Sequence, residues 1–88
     1  MTIHGSAKKR GYSERQIMEA WRSGADRRCW LDGRAAPREL RIGFDSSGTE
    51  YEIVGLVFTD GHVLIHHCLT PPTKESRRLT ERARRRMR

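Results

Sequence analysis

The apolar positions between residues 13 and 24 fall at helical spacing. Ile17, Ala20 and Trp21, with Met18 beside them, predict a short amphipathic helix over residues 14–23. Ser13 is a good N-cap, Gln16 three residues later suits a capping box, and Gly24 supplies a C-terminal stop. From residue 28 the period shortens. Cys29-Trp30-Leu31 is a brief apolar run that ends at Asp32-Gly33, a turn signal, and Pro37 resets the chain. Residues 38–44 then alternate, with Leu40, Ile42 and Phe44 on one face and Glu39, Arg41 and Gly43 on the other.

Asp45-Ser46-Ser47-Gly48 reads as a turn. Residues 49–58 begin as an alternating strand, Tyr51 and Ile53 against Glu50 and Glu52, and become apolar on both faces from Val54 to Phe58. A central strand covered on both sides at its end is the expectation. Thr59-Asp60-Gly61 makes a tight hairpin turn, and residues 62–69 form the partner strand. On that strand Val63, Ile65 and His67 are expected to share one face, and Leu64, His66 and Cys68 the other. Pro71-Pro72 ends the sheet. Thr73 can cap a last helix, along which Leu79, Ala83 and Met87 recur every four residues as a narrow stripe for a sheet or a partner.

The pattern predicts an α+β fold: an N-terminal helix, an antiparallel β-meander of three or four strands and a C-terminal basic helix. Residues 1–12, polar and basic with Gly5 and Gly11, read as a flexible arm. Residues 13–72 read as a single small domain and residues 73–88 as the Arg-rich helix. The expected core is Ile17, Trp21, Trp30, Leu40, Ile42, Phe44, Ile53, Val54, Leu56, Val57, Phe58, Val63 and Ile65. One of the two tryptophans could instead be a surface anchor.

Size and charge narrow the choice. Eighty-eight residues leave no room for a Rossmann domain or a barrel. No apolar run approaches the roughly 20 residues that span a bilayer, and no apolar stretch follows Lys8, Lys9 and Arg10 as a secretory signal would require. No membrane role and a cytoplasmic location are therefore expected. Cys29 and Cys68 are too few for a disulfide scaffold. The net charge is +7, and the surplus is concentrated. Residues 74–88 carry eight Lys or Arg against Glu75 and Glu81, while the remainder is nearly neutral. Such a density of cations repels itself and points to an anionic partner, nucleic acid or an acidic protein.

The candidate chemistry is limited. His62, His66, His67, Cys29 and Cys68 lack metal-ligand spacing, and adjacent strand residues point to opposite faces, so neither a metal nor another cofactor is expected. Cys68 and His66, two apart on a strand, lie about 7 Å from each other, beyond the reach of a nucleophile–base pair. A second helix, which a helix-turn-helix needs, does not follow Gly24. The remaining set is Arg34, Arg38, Arg41, Asp60, His62 and His66, in or beside the sheet. Cations with a nearby histidine can hold a phosphodiester and move its protons, and RNA brings its own nucleophile in the 2′-hydroxyl. The plainer alternative is that these are solvated edge residues.

Several local strings resemble the RelE-like toxin superfamily, in its BrnT-type branch. Lys9-Arg10-Gly11-Tyr12-Ser13, followed by Ile17 and Ala20, looks like that branch's Lys-His-Gly-x-Ser opening to the first helix. Arg38-Glu39-Leu40-Arg41-Ile42-Gly43 looks like its Arg-x-x-x-x-Gly strand. Asp45-x-x-Gly48 before Tyr51-Glu52-Ile53-Val54, and Leu64-Ile65-His66-His67 before the basic helix, are similar in order. The likeness spans roughly residues 9–85. Arg10 stands where the branch usually has His, and Cys68 where it often has Arg. The resemblance implies a type II toxin: a small mRNA endoribonuclease, on or off the ribosome, bound and silenced by a cognate antitoxin. It matches Arg38 to the strand arginine, His66 to a strand Ser/His position, and Arg77 and Arg78 to the basic start of the last helix.

Arg38, Arg41 and His66 are thus the expected catalytic residues, facing a groove shared with the last helix. His66 serves as acid or base because an unperturbed histidine titrates near neutrality; Asp60 and His62 are its rivals. Arg34, His62, Lys74, Arg77, Arg78, Arg82 and Arg85 are the expected RNA contacts. The alternative is a non-catalytic nucleic-acid- or ribosome-binding module acting through the Arg-rich helix.

Overall fold

Ser13 caps the longer N-terminal helix, α2 (Glu14–Ser23), by the predicted reciprocal exchange. Its hydroxyl accepts the Gln16 N–H, and the Gln16 side chain accepts the Ser13 N–H. The helix ends at Gly24, whose N–H reaches back to the Ala20 and Trp21 carbonyls. The computed structural model describes residues 1–31 and 37–86. The expected turn at Asp32 and Gly33, with Arg34, Met87 and Arg88, lies outside the described residues.

The domain is α+β, with a five-stranded mixed sheet of order β1-β5-β4-β3-β2. Its strands are β1 (Thr2–Ile3), β2 (Arg28–Leu31), β3 (Arg38–Phe44), β4 (Glu50–Val57) and β5 (Val63–Leu69). A helical turn, α1 (Gly5–Lys8), follows β1, and α3 (Lys74–Arg86) closes the described chain. The strands from β2 to β5 pair antiparallel. β1 makes the sheet mixed, because it pairs parallel with β5. The segment read as a free arm therefore belongs to the domain: Thr2 and Ile3 face Leu64 and Ile65 across the ladder, and Ala7 is buried. Two strand residues are too short a signal for periodicity to register.

The core lies between α2 and one face of the sheet. Ile17, Ala20 and Trp21 meet Tyr51, Ile53, Ile65 and Cys68 there, with Ala7. Two glycines allow this approach. A Cβ at Gly43 would stand 1.8 Å from the Ala20 carbonyl oxygen, and one at Gly55 would meet Val63, Ile65 and the Trp21 ring. Arg41, on the same face, lies over the Trp21 ring at 3.9 Å and donates to the Trp21 carbonyl. The opposite face carries buried Leu40, Ile42 and Val54, and α3 packs across it over β2 and β3.

Several burial expectations change. Trp30, Phe44 and Phe58 are exposed, while Tyr51 and Cys68 are core. β4 is covered on both faces at its start and middle, and only half-buried at Leu56 and Val57. Glu52 is buried near the start of β4 because it makes a polar pairing that hydropathy does not see. On α3 the buried residues are Ser76 and Thr80, while Leu79 and Ala83 are half-exposed. Small side chains let the helix sit close to the sheet, with Thr80 donating its hydroxyl to the Ser76 carbonyl.

The turn before β4 is held by Asp45. One carboxylate oxygen accepts the Ser47 and Thr49 N–H groups and the Ser47 hydroxyl, and the other accepts the Tyr51 hydroxyl. The Ser47 hydroxyl leads, with Tyr51 and the two N–H groups, in holding this carboxyl down at about 2 against burial.

Gly43→Ala is expected to lower unfolding free energy by about 3 kcal/mol, since backbone rather than a movable side chain blocks the added methyl. Gly5→Ala, at a helical position with open space, is expected to be neutral or stabilising by up to about 1 kcal/mol. Urea denaturation of the two variants checks the contrast; equal midpoints would refute it.

Candidate functional site

His66 occupies an irregularity in the ladder. Val54 pairs with His67 and Gly55 with Ile65, so His66 is the extra residue of a β-bulge. The bulge overturns the expected alternation along β5. Ile65 and Cys68 both reach the α2-side core, which strict alternation forbids. The bulged backbone is held by the N-terminal segment. The Ser6 hydroxyl donates to the His66 carbonyl at 2.6 Å, and the His4 N–H donates to the Ile65 carbonyl at 2.8 Å. His4 in turn caps α1, its Nδ1 accepting the Ser6 N–H.

The His66 side chain is half-buried, and its Nε2 is fully buried with no hydrogen-bond partner. Burial, then the charges of Arg38, His67 and His4, hold this imidazole below the ordinary histidine value. Arg38 opens β3, opposite Leu56, on the face of β3 that carries Leu40 and Ile42. Its Nε is likewise buried and unpartnered. Two expected site residues thus come close enough for one charge to act on the other. Both carry a buried nitrogen that lacks the partner such groups nearly always have.

Arg41 is not brought to them. It lies on the α2 side, its Nε paired with Glu39, one Nη on the Trp21 carbonyl and its plane on the Trp21 ring. His62 is at the exposed hairpin end, its Nε2 3.0 Å from the Thr2 hydroxyl. Asp60 accepts the His62 N–H, a turn role. Arg34 lies outside the described residues.

On α3 the cations divide. Arg77 pairs with Glu50, which Arg27 holds from the other side, and Arg78 pairs with Glu75. Arg85 approaches Glu81 at 3.7 Å. Lys74 and Arg82 are exposed and make no ion pair among the described residues.

One constellation has no counterpart in the sequence reading. His67 Nε2 lies 2.8 Å from a buried Glu52 carboxylate oxygen, and the other oxygen accepts the Thr73 N–H. Burial pushes the Glu52 carboxyl up. The Thr73 N–H, His67 and the Thr73 and Ser76 side chains outweigh it and hold the group below its ordinary value. This pairing anchors the start of α3 to the sheet. Its only sequence signal was an acid in an apolar strand. Among the described residues no three His, Cys, Asp or Glu side chains are grouped so as to hold a metal ion. No helix among them is long and apolar enough to cross a membrane. Cys68 is fully buried, and burial pushes its thiol up to about 12, which leaves it inert as a nucleophile at neutral pH.

Compared with protein-family models, with curated proteins and with solved structures, the chain gives no match in any of the three.

What Arg38 and His66 offer chemically is a neutral base beside a fixed cation. NMR titration of the His66 ring is expected to give a midpoint below about 6.5, the ordinary value, and Arg38→Met to move it upward. Because the folded value is the lower one, folding is favoured above the unfolded midpoint. Stability is then lost as pH falls from there through the folded midpoint. A midpoint that Arg38→Met leaves in place would refute the coupling.

Proposed function

We propose that the chain is a RelE/BrnT-like toxin: a metal-independent endoribonuclease that cleaves mRNA in the cytoplasm and is held inactive by a cognate antitoxin. The observation that carries this reading is the pair of unpartnered buried nitrogens on Arg38 and His66. Each costs roughly 1–3 kcal/mol while it lacks a hydrogen bond, and a phosphodiester with its 2′-hydroxyl would supply both. The run of α2, four antiparallel strands and the basic α3 supports the same reading, since the resemblance implies a helix, a meander and a basic helix in that order; β1 and α1 stand ahead of it.

In the proposed step the 2′-oxygen forms a bond to the adjacent phosphorus as His66 takes its proton. The bond from phosphorus to the 5′-oxygen breaks, and that oxygen takes a proton from water. A 2′,3′-cyclic phosphate and a 5′-hydroxyl result. Arg38 holds the charge that develops on the phosphoryl oxygens. A low proton affinity keeps His66 neutral, and so able to accept a proton, at pH 7. Arg41 takes no part, because its guanidinium is committed to Glu39 and Trp21.

A non-catalytic RNA-binding module is the second reading. It is favoured by the burial of His66 Nε2, which RNA must uncover before any proton moves.

Induced expression in a bacterial host separates the two. The wild-type chain is expected to arrest growth and to leave mRNA fragments with 2′,3′-cyclic ends. His66→Gln and Arg38→Met are each expected to slow cleavage by about a hundredfold or more and to relieve the arrest. Intact mRNA with folded wild-type protein, or arrest undiminished in both variants, would remove the nuclease reading.

A further inference from the structure

The edge strand β2 and the last turns of α3 enclose a cleft of about 620 Å³. Trp30 stands in it with 60% of its surface exposed, the most exposed large apolar side chain described. Arg28 of β2 and Arg82 and Arg86 of α3 line the same cleft. The α3 residues alternate by helical spacing: Leu79 and Ala83 give an apolar strip, and Arg82 and Arg86 a cationic one beside it.

The charge pattern is selective. Arg77, Arg78 and Arg85 are engaged with acids elsewhere on the protein. Arg28, Arg82 and Arg86 make no ion pair among the described residues. Glu39, the one acid among the described residues of the cleft, is paired with Arg41. Three guanidinium groups with no ion pair among the described residues therefore line one cleft with an exposed indole: Arg28 shares the Trp30 face of β2, and Arg82 and Arg86 reach the cleft from α3. A protein partner's apolar anchor would find little to fill here beyond Leu79, Ala83 and Cys29. A flat base has an aromatic face to stack on, and the phosphates on either side of it meet the arginines.

We propose that this cleft is a single-stranded RNA site, in which a base stacks on Trp30 and the flanking phosphates are held by Arg28, Arg82 and Arg86. The proposal deepens the nuclease reading and rests on it for its substrate class. Glu39 of the cleft and Arg38 are consecutive on β3 with side chains on opposite faces, so the cleft lies beside the strand that also carries Arg38.

The test measures binding of a fluorescein-labelled oligouridylate to the full chain carrying His66→Gln, so that cleavage does not deplete the ligand. RNA is expected to quench tryptophan fluorescence. In that background Trp30→Ala is expected to weaken binding about tenfold or more and to abolish the quench, since Trp21 remains buried. Trp30→Phe is expected to restore most of the affinity. Arg82→Gln is expected to weaken binding and reduce the slope of log K against log salt by about 0.7. Unchanged RNA affinity in Trp30→Ala would overturn the proposal, as would polyglutamate binding as tightly as RNA. Trp30-dependent binding with no cleavage by the wild-type chain would retain this site and discard the nuclease. Cleavage that survives Trp30→Ala with unchanged affinity would do the reverse.

Discussion

The approach of α2 to β3 governs the molecule. At Gly43 helix carbonyl and strand backbone come so close that no side chain fits between them. That contact sets the depth at which Trp21 enters the sheet and fixes the layer above it. Arg41 then serves as packing rather than as a free charge. Its stem and plane cover Trp21, and its donors satisfy the Trp21 carbonyl and the Glu39 carboxylate. Taking such a cation out of water is tolerable only with this full set of partners. Arg41 is thereby committed to packing, and the Glu39 charge is met on its own strand.

The helical and strand periods were legible because they arise locally. The Ser13–Gln16 box, the Gly24 stop, the strands and the turns at Asp45 and Gly61 follow from neighbouring residues. What was not legible depends on the third dimension. β1 is two residues long and exists only because β5 offers its edge. The bulge at His66 follows from two strands meeting out of step, which neither strand's own pattern contains. Phe44 and Phe58 look like core by hydropathy, yet they fall at strand ends where no layer covers them.

The candidate site divides the same way. Arg38 and His66 were visible as residue types on strands, but not as a pair with unsatisfied nitrogens. The sequence placed Arg41 with them because it lies on the same strand. Alternation sends it to the other face, since Arg38 and Arg41 are three apart. His67 looked equivalent to His66. The bulge separates them, giving His67 a buried carboxylate and leaving the His66 Nε2 without a hydrogen-bond partner. One inserted residue therefore determines which histidine pairs with a carboxylate and which keeps an unpartnered ring nitrogen.

The arginine count needs the same sorting. A net charge of +7 suggests a uniformly cationic helix. Arg77 instead joins Arg27 in clamping Glu50, and so ties the start of α3 to the sheet. Arg78 and Arg85 stabilise their own helix through acids one turn away, an effect worth only a few tenths of a kcal/mol each. Arg82 and Arg86 gain neither benefit, and they sit one turn apart at the β2 edge. Like charges held that close, without an ion pair among the described residues, raise the energy of the free protein. The helix is thus anchored at its start by cations committed to the fold, and it presents at its end the cations the fold leaves unmatched.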